Sequence, residues 1–290
     1  MAEKKAIKFP VTLRILRKIF PTIERISPSL ANKISVDFFF KPIKFKPTAE
    51  ENESFEKANH QFLKVGNKKI MVYSWGEGEG KPVLVTHGWM GRGTQFRKFV
   101  KPFNDNGYQL VAFDGPAHGR SGGSKTHMGE FKDAIIAIQE AYGPFEASIG
   151  HSFGGGVNMY AAIQGVSIKK MILISAPAVA EDILENYMAI LNGNPERIAY
   201  IRKYVRRTFN IDFNDTTTYV MSEKLDPLPM LLIHDRDDTE VPIKHSIALQ
   251  SKLEYPVLIE TKGLGHNRIL KDKSVIESCL DFIINDPHYS

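Results

Sequence analysis

The sequence predicts an α/β fold: a mostly parallel eight-stranded sheet, flanked by helices and carrying a helical cap insertion. Three observations lead there. From about Phe62 onward, short β-rich runs alternate with helical patterns, as in strand–helix units wound around a parallel sheet. One of these units, "ASIGHSFGGGVNMYAAIQ", reads as strand, tight turn and helix, with Ser152 at the turn. Residues 178–228 break the alternation, being rich in Tyr, Met and Arg, helical in pattern and without a convincing strand.

Taken in order, the strands read "QFLKV", "KIMVYSW", "PVLVTH", "QLVAFD", "ASIGH", "KMILIS", "MLLIHD" and "PVLIET". They are short β-rich runs, several of them bounded by Gly or Pro. Helical patterns fall at about 94–106, 127–142, 154–164, 243–253 and 273–285. The turn "GEGEGK" before the third strand looks like a phosphate loop. It fails as one, because position 75 is Trp, Pro82 follows Lys81, and the segment leads into a strand rather than joining a strand to a helix. The resulting division is a basic helical extension over 1–55 that packs on the core, a core over 56–177 and 229–290, and a cap over 178–228.

Bulk properties narrow the class. The 290 residues are 42% hydrophobic and 24% charged, and no window supplies the roughly 18 uninterrupted apolar residues of a spanning helix. The start lacks the apolar core and cleavage site of a signal peptide, so a cytoplasmic location is the default expectation. The single cysteine, Cys279, lies in the apolar-periodic "VIESCLDFII" and reads as a buried structural thiol. Charge is uneven: residues 1–50 hold eleven Lys or Arg against four Asp or Glu, a surplus of seven, which leaves −2 for the rest of a chain whose net is +5. A basic, amphipathic head of this kind can touch an anionic membrane surface. Solvated faces of packed helices are the commoner fate, and packing is the expectation here. The aromatics of "SVDFFFKPIKFKP" are expected to dock as well. No nucleic-acid module signature occurs.

The chemistry centres on "GHSFGGG". At a strand-to-helix elbow the backbone folds back so sharply that Gly150 and Gly154 must be small, while the Ser152 hydroxyl is held above the sheet at a helix N-terminus. In this pentapeptide, Gly150-His151-Ser152-Phe153-Gly154, the chain resembles the α/β-hydrolases, of the serine esterase and lipase kind. The resemblance covers about residues 60–286 and rests on further motifs in the same order. "VLVTHGWMG" is similar to the family's oxyanion-hole loop and implies the backbone N–H groups of Trp89 and Phe153 as the oxyanion donors. The Trp89 side chain also reads as a core aromatic. "FDGPAHGRSGG" is close to a turn of the family, and Asp114, His118 and Ser121 within it read as turn-forming rather than catalytic.

A serine hydroxyl needs a base, and the base needs a carboxylate to set its tautomer. "MLLIHDRDDTEVP" is similar to the family's strand followed by D-x-x-V-P; aligned on Val241-Pro242, it implies Asp238 as the acid, with Asp237 and Asp235 as alternatives. A calcium loop starting at Asp235 would want Gly and Glu where Glu240 and Ser246 stand, so no metal is expected. His266, in "TKGLGHNRIL", follows the last predicted strand 28 residues after Asp238 and completes the order Ser, Asp, His. His87, His118, His151 and His234 fall at the same sheet edge in supporting roles.

The resemblance thus implies a serine hydrolase acting on a carboxylic ester or related acyl compound through an acyl-enzyme, with a small-molecule acyl substrate and no cofactor. Thioester, lactone or carbon–carbon cleavage on the same triad, and a non-catalytic ligand-binding protein on the same fold, remain open at the level of sequence.

Overall fold

The computed structural model describes residues 11–77 and 80–285. The first ten residues of the basic head and the tip of the "GEGEGK" turn lie outside them. The strands, in chain order, are β1 (Asn59–Val65), β2 (Lys68–Trp75), β3 (Lys81–Thr86), β4 (Tyr108–Phe113), β5 (Ala147–His151), β6 (Met171–Ile174), β7 (Met230–Asp235) and β8 (Val257–Thr261). The α-helices are α1 (Val11–Ile26), α2 (Pro28–Phe39), α3 (Ala49–Glu56), α4 (Arg97–Asp105), α5 (Met128–Tyr142), α6 (Phe153–Ile163), α7 (Ala180–Leu191), α8 (Ile198–Phe209), α9 (Thr218–Met221), α10 (Lys244–Leu253), α11 (Gly265–Arg268) and α12 (Lys273–Ile284). All eight strands expected from the sequence are present, and they form one sheet in the order β1-β2-β4-β3-β5-β6-β7-β8. The pairs β1–β2 and β2–β4 are antiparallel; every other pair is parallel.

Alternation along the central strands sends side chains to two cores. Val83, Val85, Leu110, Ala112, Ile149, Ile172 and Ile233 join Phe99 and Phe103 of α4 and Val275, Cys279 and Ile283 of α12. Leu84, Val111 and Phe113 face the other way, onto Phe131, Ile135 and Ile138 of α5 and Val157 and Ala161 of α6. A strand buried on both faces must be apolar at every position, which is why β3 to β7 read as continuous hydrophobic runs. Cys279 is fully buried, and burial pushes its thiol pKa well above the ordinary value.

Packing divides the chain into two compact units at other points than the sequence pattern suggested. One is Lys41–Val179 with Asn214–Ser290 and contains the sheet; the other is Met1–Phe40 with Ala180–Phe213. Residues 41–55 join the sheet unit: α3 opens on a capping box between Thr48 and Glu51, Trp75 Nε1 donates to the Ser54 carbonyl at 2.8 Å, and Arg97 pairs with Glu50 at 2.6 Å. So do residues 214–228, where Thr218 Oγ1 donates to the Pro177 carbonyl and Met221 packs in one cluster with Met159 and Met230.

In the second unit, α1 and α2 group with α7 and α8. Phe39 meets Tyr187 edge-on at 4.9 Å and Phe213 at 5.8 Å, and Phe40 lies 5.7 Å from both Tyr204 and Phe209. Arg17 donates to the carbonyls of Ala189 and Ile190, and Glu24 accepts from the Asn194 amide. The aromatic run of the head therefore docks on the inserted helices. Sequence patterning could not show this, because the partners stand some 150 residues away and either face of each helix offers apolar side chains. Among the described residues no helix is long and apolar enough to cross a membrane.

Candidate active site

The site is assembled at the C-terminal ends of β3, β5, β7 and β8, all within the sheet unit. β5 delivers the elbow. Ser152 sits between β5 and α6 with φ 53° and ψ −125°, a left-handed conformation that costs a non-glycine residue about 1–3 kcal/mol. The surroundings hold it there: Ser152 N donates to the Ile174 carbonyl and its own carbonyl accepts from Gly155 N. A Cβ at Gly150 would stand 2.5 Å from Gly155 Cα, and one at Gly154 would stand 2.2 Å from the Thr86 carbonyl oxygen. Both glycines are thus steric requirements of the turn. Gly155 lets α6 approach the end of β6, since its Cβ would meet Ala176 Cβ at 2.8 Å and Leu173 Cδ2 at 3.2 Å, whereas a Cβ at Gly156 would press only on the flexible end of Met128, Cε at 3.3 Å.

The loop after β3 is held by two buried histidines. His87 Nδ1 donates to the Gly88 carbonyl at 2.7 Å, and its Nε2 accepts from Gly115 N at 2.8 Å. His118 Nδ1 donates to the Pro116 carbonyl at 2.9 Å, and its Nε2 accepts from Met90 N at 3.1 Å. Both rings must therefore be neutral and protonated at Nδ1. Burial drives their pKa values down, to about 4 for His87 and about 3 for His118, the latter also by repulsion from His87. His118 thereby fixes Met90 in a left-handed conformation, φ 62°, and with it the position of Trp89. Neither Trp89 N–H nor Phe153 N–H has an acceptor among the described residues, and Phe153 is the first residue of α6, where backbone donors lie open. Their rings pack edge-on at 5.4 Å.

Asp114, His118 and Ser121 form a turn, as their sequence context suggested. Asp114 accepts from Tyr73 Oη, Gly93 N and Arg120 N, and Ser121 Oγ bridges the Asp114 carbonyl and Met71 N.

The three acids after β7 separate by geometry. Asp238 is buried and its Oδ2 accepts from His266 Nδ1 at 2.7 Å, while Oδ1 accepts from the amides of Glu240 and Val241 at 2.9 Å each. Burial alone would raise its pKa; the hydrogen bond and charge of His266, with the two amides, hold it below the ordinary carboxylate value. Asp237 is exposed and caps Gly263 N at 3.1 Å. Asp235 is a brace: its carboxylate accepts from Asp237 N, Thr261 Oγ1 and Leu264 N, tying the end of β7 to the loop that carries His266. His234 braces the loop after β7 that carries Asp238, donating from Nε2 to the Val241 carbonyl and accepting at Nδ1 from Ser246 Oγ of α10, both at 2.7 Å.

His266 stands on α11. Its ring lies 4.7 Å from that of His151, and its carbonyl accepts from His151 Nε2 at 2.8 Å. The structure thus joins Asp238 to His266 directly, and His266 to the strand–helix elbow through the residue preceding Ser152. Ser152 Oγ makes no hydrogen bond among the described residues. Among those residues no cluster of three or more His, Cys, Asp or Glu is arranged to hold a metal ion.

Residues 81–217 match the family pattern described as the alpha/beta hydrolase fold. The match spans a little under half of the chain, and the sheet order and the elbow agree with it in fold. This chain is an α/β-hydrolase-fold protein. It is 25% identical over 166 residues to the human serine hydrolase-like protein, covering 53% of this chain and 75% of that one. To a non-heme chloroperoxidase of Burkholderia pyrrocinia it is 34% identical over 117 residues, 38% of this chain and 42% of the other. Among solved structures, the α/β-hydrolase fold here superposes on a putative lipase from Acinetobacter baumannii AYE with TM-score 0.63 and 14% identity, over 83% of this chain and 97% of that one.

Four of the histidines that brace this α/β-hydrolase site, His87, His118, His151 and His234, were legible only as neighbours of one sheet edge. Their tautomers depend on partners up to 115 residues away, and no spacing rule encodes that.

Proposed function

We propose that this protein is a serine hydrolase that cleaves a carboxylic ester of a small acyl compound through an acyl-enzyme. The observation that carries the reading is the 2.7 Å bond from His266 Nδ1 to buried Asp238, set beside an elbow serine at φ 53°. In the reaction, His266 Nε2 takes the proton of Ser152 as Oγ attacks the acyl carbonyl, and Asp238 stabilises the imidazolium without itself being protonated. The negative charge that develops on the carbonyl oxygen is held by the N–H groups of Trp89 and Phe153. Each such donor contributes about 3–4 kcal/mol to the transition state. His266 then gives its proton to the departing alkoxide, and a water activated by the same imidazole releases the acid and restores Ser152.

Names carried by similar proteins, a serine hydrolase-like protein and a putative lipase, support the same class. Treatment with a fluorophosphonate tests the proposal. Stoichiometric labelling of the folded protein, lost in Ser152→Ala, together with hydrolysis of a simple aryl ester, is the expected result; a folded wild type that neither labels nor turns over would refute it.

A further inference from the structure

α1 has two apolar faces. Leu13 and Phe20 are buried within the helical unit, Phe20 completely. On a wheel of about 100° per residue, Val11, Ile15, Ile19 and Ile26 fall within about 80° of one another on the opposite side. All four are exposed, at 59%, 55%, 45% and 80%, and Leu30 on α2 is exposed at 47%. Isolated exposed side chains of this kind are ordinary; four on one stripe are not.

The flank of the stripe is of one sign. Arg14, Lys18 and Arg25 occupy about the next 60° of the wheel, and all three are exposed. None makes a hydrogen bond or ion pair among the described residues, whereas Arg17, on the buried side, donates to the Ala189 and Ile190 carbonyls. Lys33 of α2 is likewise exposed. In the sequence, the ten residues before α1 add Lys4, Lys5 and Lys8 against one acid, Glu3. An apolar stripe beside a cationic flank is the pattern of a helix lying in a lipid–water interface, with aliphatic side chains among the acyl chains and cations at anionic headgroups. A second copy of the chain fits poorly, because a two-fold contact through this stripe would bring the cationic flanks of both copies together.

We infer that the exposed stripe Val11, Ile15, Ile19 and Ile26, with Arg14, Lys18 and Arg25, is a docking surface for an anionic lipid bilayer. The inference is independent of the reaction assigned to Ser152, and its test reads binding rather than turnover.

Co-sedimentation of the full chain with vesicles of phosphatidylcholine and phosphatidylglycerol, and with phosphatidylcholine alone, distinguishes the outcomes. Binding to the mixed vesicles, weakened by salt and absent on the neutral ones, is expected. Ile15→Asp/Ile19→Asp should weaken it about tenfold or more, and so should Arg14→Glu/Lys18→Glu/Arg25→Glu. All substituted positions are exposed, so circular dichroism and thermal unfolding should match the wild type. Failure of the wild type to bind mixed vesicles would overturn the inference. So would binding that survives Ile15→Asp/Ile19→Asp, since the attraction would then be charge alone. A wild-type dimer that this double variant converts to a monomer, with no vesicle binding by either, would assign the stripe to self-association instead.

Discussion

His151 Nε2 donates to the main-chain carbonyl of His266 at 2.8 Å, so the residue before Ser152 holds the backbone of the proposed base. The bond determines His151's state. Its Nε2 carries the proton, its Nδ1 has no partner, and burial, reinforced by the neighbouring His266, pushes its pKa down to about 3. His151 is a positioning residue in this arrangement. Replacing it with Phe keeps the volume but leaves the His266 carbonyl unpaired. We expect kcat to fall about tenfold with KM nearly unchanged, since a small displacement of a catalytic group is costly to the transition state. A purely structural role would lower the melting temperature without that kinetic split; measuring both, with His151→Gln as the variant that retains a donor, separates the two.

Asp238 and Asp237 are neighbours with opposite fates. Asp238→Asn removes the acceptor that holds His266 Nδ1–H and should lower kcat by about 10⁴-fold. Asp237→Asn alters an exposed cap on Gly263 and should leave kcat within about twofold, in line with the small effects of surface substitutions. Steady-state kinetics on an aryl ester decide it, and equal losses in the two variants would contradict the assignment.

The three glycines after Ser152, Gly154 to Gly156, should divide. Gly154→Ala drives a methyl into the Thr86 carbonyl and should destabilise the fold by about 3 kcal/mol or prevent folding. Gly156→Ala meets only the flexible end of Met128 and gains helix propensity, so its melting temperature should be unchanged or raised. Paired thermal unfolding curves provide the comparison. A Gly154→Ala protein as stable as the wild type would mean that the elbow is looser than the packing implies.

Stability should fall with acid before the carboxylates titrate. His87, His118 and His151 are neutral in the fold, with pKa values of about 4, 3 and 3, below the ordinary histidine value. Between those values and about 6.5 the unfolded chain binds more protons than the folded one. Their stabilising contribution is therefore complete above about pH 6.5 and is lost as pH falls through the folded values, at ~1.4 kcal/mol per pKa unit for each ring. Differential scanning calorimetry from pH 8 to pH 4 should show the melting temperature dropping from about pH 6.5 downward. A flat profile over that interval would count against neutral buried rings.

Much of the site was legible in the chain. Ser152, between Gly150 and Gly154, and His266, after the last strand, occupy positions dictated by local geometry, and local geometry is what a short sequence window encodes. For the acid, the resemblance implied Asp238, with Asp237 and Asp235 left as alternatives. Asp235, Asp237 and Asp238 are alike in type and spacing; what separates them is that Asp238 alone turns its carboxylate to His266, while Asp235 turns to Thr261 and Leu264.

The sequence by itself determined the strand set, the α/β class and the elbow. Burial on both faces writes itself as apolar runs, and a left-handed serine writes itself as flanking glycines. Tertiary structure alone singled out the one acid of three that meets His266, and decided which nitrogen of each buried histidine carries the proton and where the basic head packs. It set Phe39 against Tyr187 and Phe213, in a unit built from two segments far apart in the chain. The physical reason is the same in each case: these outcomes depend on contacts between residues distant in sequence, whose directions and partners come into being only when the chain has closed upon itself.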